Sequence, residues 1–168
     1  ASLRSPDPVL FLEHKKLYRA IKGEVDEGDF LVAIGQADVK RSGDDLTIIS
    51  FGLTLHESLK AAEALAKDGI SVEVVDLRTL SPLDKSTILE SVKKTGKALI
   101  AYEDNLTGGL GGEVAAIISQ EAFEYLDGPV TRIAGPDVPA MPFSHPMQDF
   151  FMPSAEKIAA AARKLAAY

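Results

Sequence analysis

Three groups of residues in this chain have the types and spacing that chemistry could use. The first is Thr107-Gly108-Gly109-Leu110-Gly111-Gly112-Glu113, set behind the apolar stretch 98–102 and the acidic pair Glu103-Asp104. A strand that runs into a glycine turn and then a helix leaves the first N–H groups of that helix open. Glycines let the backbone approach a neighbour closely, and with the helix dipole such an end can hold an anion. The same residues also suit a plain chain reversal. The second group is the carboxylate pair itself. Neighbouring residues at a strand end point to opposite sides, so shared metal binding is not expected, and Glu103 is expected to order the glycine turn through backbone N–H groups. The third group is His14, His56 and His145. None has a paired acid or second ligand close in sequence, as acid–base work requires, so each reads as structural or surface, with His145 the strongest exception.

The elements that would position these groups alternate between strand and helix from Asp45 onward, the pattern of an open α/β sheet with helical crossovers. Residues 46–51 form a buried strand, and Thr54 to Glu57 has capping-box spacing before a helix that buries Leu55, Leu59, Ala62, Leu65 and Ala66 and stops near Gly69. A second unit follows: strand 72–77, then Ser81 as cap with Pro82 at the first helical position, Asp84 near the dipole, and Ile88, Leu89 and Val92 facing inward to Gly96. The third is strand 98–102, the glycine turn and a helix over 113–125, and 130–134 closes the series as a parallel strand. Between 135 and 153 five prolines and three phenylalanines show neither period, which predicts an ordered loop whose aromatics need burial here or in a partner. Ser154 caps a last, alanine-rich helix that runs to Tyr168. The first 44 residues differ: 9–12 reads as a strand whose sheet partners lie outside this chain, and 30–34 as a short extra strand.

Bulk properties narrow the function classes. With 168 residues and 46% hydrophobic content there is room for one core and a short appendage. The chain has no cysteine, which excludes disulfides, thiolate metal sites and a cysteine nucleophile. A net charge of −7 opposes nonspecific binding to nucleic acid and favours a basic protein partner, although acidic surfaces also serve solubility. The apolar runs fall short of the roughly 20 residues a membrane helix needs, and the amino-terminal residues lack the layout of a secretion signal.

Pro8-Val9-Leu10-Phe11-Leu12-Glu13-His14-Lys15-Lys16-Leu17-Tyr18-Arg19, Val75-Asp76-Leu77-Arg78-Thr79-Leu80-Ser81-Pro82-Leu83-Asp84 and Gly108-Gly109-Leu110-Gly111 together resemble the beta subunit of thiamine-diphosphate-dependent 2-oxo acid dehydrogenases. These are the decarboxylating first components of the pyruvate, branched-chain 2-oxo acid and acetoin dehydrogenase complexes. Phe123 to Pro129, Arg132 and Gly135-Pro136-Asp137-Val138-Pro139 extend the resemblance over nearly all the remaining length. It implies a three-layer α/β/α fold with a mostly parallel sheet, like the transketolase C-terminal domain, over 45–168. Residues 1–44 would be the last strand of a preceding pyrimidine-binding domain plus a linker.

The resemblance also implies a division of labour. In the intact enzyme the diphosphate of thiamine diphosphate and its Mg2+ would be held by the alpha subunit, and the glutamate that activates the thiamine ring would belong to a region of the beta subunit absent here. The metal–diphosphate pattern of Gly-Asp-Gly with a distant asparagine is missing, and Ser42-Gly43-Asp44-Asp45 reads as a loop. No cofactor is expected to bind this chain alone, which is expected to be inactive by itself. The implied partners are an alpha subunit, a second beta subunit and the basic subunit-binding domain of the acyltransferase core, contacted through Asp127 and Tyr168 with Glu124 nearby. Phe143, His145 and Phe150 fall in a loop near subunit contacts. For Asp127 the residue pattern also allows a bare helix-end role before Gly128-Pro129. The implied location is the cytoplasm in a bacterium or archaeon, or the mitochondrial matrix in a eukaryote. Two other readings stay open: a stand-alone effector- or anion-binding α/β domain, and the corresponding half of a transketolase or deoxyxylulose-phosphate synthase, against which the linker and the Gly-Pro-Asp-Val-Pro segment argue.

Overall fold

A computed structural model describes residues 1–25, 27–139 and 141–168. Asp26, in the acid-rich segment, and Ala140, in the proline-rich loop, lie outside the described residues. A short helix α1 (Leu17–Ala20) precedes the body, which runs β1 (Asp38–Arg41), β2 (Leu46–Ser50), α2 (Gly52–Lys67), β3 (Val72–Asp76), α3 (Lys85–Thr95), β4 (Ala98–Asn105), α4 (Leu110–Glu121), β5 (Thr131–Gly135), α5 (His145–Phe151) and α6 (Ala155–Ala166). The sheet order is β1-β3-β2-β4-β5; β1 is antiparallel to β3 and every other pairing is parallel.

Parallel strands joined by helical crossovers are covered on both faces, which is why 46–50, 72–75 and 98–102 are continuous buried runs rather than alternating ones. One face packs Ile49, Val75, Ile100 and Tyr102 against Ile88 and Val92 of α3 and Val114 and Ile118 of α4. The other packs Ile48, Val74 and Leu99 against Leu55 and Leu65 of α2 and Ile158 and Leu165 of α6. At the amino ends of the strands lies a buried acid, Glu73, whose carboxylate accepts hydrogen bonds from the Ser91 hydroxyl at 2.6 Å and from the Lys94 ammonium. The 42–45 connection is a tight link in which the Asp44 and Asp45 N–H groups donate to the Ser71 carbonyl at 3.2 and 2.8 Å.

Several boundaries differ from the sequence-based expectation, each for a local reason. β1 lies in the stretch read as linker; three of its four residues are charged, which suits an edge strand with one side in solvent. The sheet therefore starts ahead of Asp45. No strand forms at 9–12 or 30–34, because a strand exists only by pairing and no described strand lies beside either run; Leu10 and Phe11 are 84% and 69% exposed. α2 begins at Gly52, not Thr54: the Thr54 hydroxyl donates to the Phe51 carbonyl, and Glu57 reaches across to accept the Ala155 N–H at 3.1 Å, capping α6 instead of its own helix. α3 begins at Lys85 with Asp84, not Ser81, as its cap. α4 takes in Leu110, Gly111 and Gly112 and stops at Glu121, leaving Phe123–Tyr125 as a separate 3-10 turn. The proline-rich loop contains α5, whose last carbonyls are closed by Lys157: its ammonium donates to the Asp149, Phe150 and Met152 carbonyls at 2.6, 2.7 and 2.8 Å. The Ser154 cap of α6 is present, accepting the Lys157 N–H at 3.3 Å.

Candidate functional site

In an open α/β sheet ligands bind beyond the carboxyl ends of the strands, where the strand order reverses, here between β2 and β4. The glycine turn after β4 stands at that place. Its glycines serve an aromatic ring. Tyr102 is fully buried; a Cβ on Gly109 would come within 2.7 Å of its ring, and one on Gly111 would overlap the ring. Gly108 supplies the left-handed turn, with φ 79°. Gly112 has room for a side chain, its notional Cβ making an ordinary contact with Arg132 Nη1 at 3.6 Å.

Glu103 does not order this turn. Its carboxylate pairs with His14, Oε2 lying 3.0 Å from Nε2, with both side chains about 30% exposed. His14 therefore has the acid partner that its sequence neighbourhood withheld. The turn is held by Asp137: the Thr107 N–H donates to Oδ1 at 3.0 Å and the Thr107 hydroxyl to Oδ2 at 2.7 Å. Those two bonds, with the nearby charge of Arg132, hold the Asp137 carboxyl below its ordinary range. The Arg132 guanidinium donates to the Leu106 carbonyl at 2.8 Å, and the Leu106 N–H donates to the Gly135 carbonyl at 2.9 Å. Asp104 accepts the Asn105 N–H at 2.8 Å.

A second group sits at the carboxyl end of β3. Burial pushes the Asp76 carboxyl up, opposed by the Arg78 N–H, 3.2 Å from Oδ1, and by the charges of Lys40 and Arg78. Burial pulls His56 below its ordinary value against the attraction of Asp76. Asp84 gathers four donors: the Ala37 N–H at 2.9 Å, the Thr87 N–H at 3.1 Å and the Ser86 and Thr87 hydroxyls at 2.8 and 2.7 Å. Burial alone would raise its carboxyl, but these bonds outweigh it and hold the group far below the usual carboxylate range.

Of the three residues expected to meet a basic partner, two lie close together. Asp127 and Tyr168 flank Gly128, where a Cβ would lie 3.4 Å from Tyr168 Cβ. The Asp127 carboxylate is exposed and lies against Gly96, the left-handed cap of α3, and its N–H donates to the Gly96 carbonyl at 2.7 Å. Tyr168 is 75% exposed. Glu124 projects from the neighbouring 3-10 turn, beside Phe123 and Tyr125, and the Lys93 ammonium lies 5.1 Å from the Tyr125 ring centre. In the proline-rich loop the aromatics divide: Phe151 is buried against Gly135, while Phe143 and Phe150 are 99% and 72% exposed and His145 opens α5 from the surface. Sequence reasoning missed the His14–Glu103 and Thr107–Asp137 pairs and the Tyr102–Gly111 contact; only the Gly-Pro-Asp motif carried a signal of any of them. Among the described residues no group of three or more histidines and acids could hold a metal ion, and no helix is long and apolar enough to cross a membrane.

Comparison with known proteins bears on the chain as a whole. The family described as transketolase, C-terminal domain, matches residues 35–158, a span that runs from just ahead of β1 to the first turn of α6. The chain is 54% identical to the 2-oxoisovalerate dehydrogenase subunit beta of Bacillus subtilis over 168 residues, all of this chain and 51% of that protein. It is 48% identical to the pyruvate dehydrogenase E1 component subunit beta of the same organism, over 98% of this chain and 50% of that one. It is 44% identical to the acetoin:2,6-dichlorophenolindophenol oxidoreductase subunit beta of Cupriavidus necator, over 97% and 48%. A solved structure, a split-gene transketolase as an inactive beta4 tetramer, superposes with a TM-score of 0.74 at 30% identity, over 86% of this chain and 46% of that one. The chain thus spans about half the length of the curated relatives it matches.

Proposed function

The chain belongs to the transketolase C-terminal domain family, and from that premise we propose that it is the C-terminal half of the beta subunit of a 2-oxo acid dehydrogenase, serving assembly and core docking. The intact enzyme would oxidatively decarboxylate a 2-oxo acid and pass the acyl group to a lipoyl carrier. Identity of 44–54% along nearly the whole chain to three beta subunits supports the assignment. The thiamine diphosphate and Mg2+ implied for that enzyme do not fit the donor set of the described residues. Glu103 is engaged by His14 and Asp104 by the Asn105 N–H, and no third ligand stands near them. Their contacts belong to the alpha subunit and the preceding region, and no step of the chemistry is assigned to this chain.

The observation that carries the docking role is the convergence of Asp127 and Tyr168 around Gly128, with Glu124 on the adjoining turn. An exposed carboxylate whose backbone is tied to the cap of α3 offers an acceptor for a lysine or arginine, which is what a basic subunit-binding domain would present. The loop carrying Phe143, His145 and Phe150 supplies an apolar surface for the alpha subunit or the second beta subunit. Asp127→Asn preserves the side chain's shape and removes its charge. It is expected to weaken binding of a basic subunit-binding domain by about 1–3 kcal/mol in calorimetry, with the melting temperature nearly unchanged. Equal affinity of variant and parent removes Asp127 from the docking surface.

A further inference from the structure

The connection between β3 and α3, residues 77–84, carries more polar contacts than a reversal of the chain needs, and they converge on one short stretch of the incoming chain. Arg78 has φ 51°, the single positive φ outside glycine among the described residues. L-residues rarely adopt that conformation, and it persists only where the surroundings hold it. The Arg78 guanidinium donates to the Ala37 carbonyl at 3.1 Å and lies 3.8 Å from Asp38 Oδ1. The Thr79 hydroxyl accepts the Gly35 N–H at 3.1 Å, and Asp84 Oδ2 accepts the Ala37 N–H at 2.9 Å. Pro82 packs on Gly35, where a Cβ would meet Pro82 Cγ at 3.0 Å, and Ala37 is buried in the core. Upstream of this point residues 22–25 and 27–34 are exposed and form no strand, and downstream β1 starts at once.

We propose that Arg78, Thr79 and Asp84 form a clasp that fixes residues 35–37 to the domain. On this account the β3–α3 loop, rather than the pairing of β1 alone, sets the direction in which everything before residue 35 leaves it. Asp84 caps α3 and docks the incoming chain with the same carboxylate, so the helix and the docking point form together. On the proposed reading of the chain as half of a longer subunit, that direction would set the angle between the two halves. The clasp is a property of this chain alone and does not depend on which acid the intact enzyme would process.

The test is hydrogen exchange on the 168-residue chain carrying Arg78→Gly and Thr79→Val. The first keeps the left-handed backbone available and the second keeps the side-chain shape, and neither touches the α3 cap. The Gly35 and Ala37 amides are expected to exchange at least about tenfold faster, with tryptic cleavage after Lys40 and Arg41 accelerated to a similar degree and the amides of β2, β4 and β5 unchanged. Unchanged protection of 35–41 overturns the clasp, since β1 pairing would then suffice. Should the double variant fail to fold, Thr79→Val alone decides: faster exchange at Gly35 supports the clasp, and exchange at the parent rate refutes it.

Discussion

The turn after β4 and the first turn of α4 together carry four glycines, and the connection after β3 carries none, yet it is the second that gathers polar groups. After β4 the glycines at 109 and 111 leave room for the buried ring of Tyr102, and a pair of bonds from Thr107 to Asp137 closes the loop. After β3 a single carboxylate, Asp84, collects four donors and a strained arginine reaches back to the entering chain. The glycine-rich turn is a packing device and the glycine-free one a polar fastening. A run of glycines marks close approach of the backbone, but what approaches can be the protein's own core.

Substitutions can separate the two. The largest effect is expected at Gly111→Ala, whose methyl group would overlap the immobile Tyr102 ring; overpacking of this kind costs about 1–3 kcal/mol, read as a lower urea midpoint at unchanged m-value. A variant as stable as the parent would return the glycines to an anion-binding role. Next is Asp84→Ala, which removes a helix cap worth about 1 kcal/mol and strands the Ala37 N–H. This effect has a pH signature. The folded Asp84 carboxyl titrates below its unfolded value, so its contribution is complete above the unfolded value and is lost as pH falls from there toward the folded one. The stability gap between parent and Asp84→Ala should therefore hold from pH 7 to 5 and narrow below about pH 4; a gap independent of pH would show that the carboxylate's charge is immaterial. The smallest effect is expected one residue beyond the first. Gly112→Ala makes only an ordinary contact with Arg132 in the first turn of α4 and should stabilise by about 0.5–1 kcal/mol, since alanine gives up less backbone entropy than glycine. Equal destabilisation by both alanines would erase the distinction between the neighbouring glycines.

Much of the body could be read from local pattern, because strands buried on both faces write continuous apolar runs and the helices between them write a 3.6-residue period. Residues 46–50, 72–76 and 98–102 were legible on that ground, as was the Ser154 cap of α6. The mostly parallel order followed from the handedness of the crossovers. Helix starts were less legible: Glu57 looked like a partner for its own N-terminus and instead caps α6, a donor on a different layer. β1 escaped notice because three charges in four residues carry no apolar period, and its identity as a strand resides in its pairing with β3.

The types and spacing of residues by themselves determined the alternation of strands and helices, the absence of cysteine chemistry and the places where turns must fall. Tertiary structure decided which acid meets which partner: Glu103 with His14, and Asp137 with Thr107. The physical reason is range. Helix and strand propensities act over a few residues, whereas a hydrogen bond between distant segments depends on the register and layering of the whole sheet, which no single stretch of sequence contains.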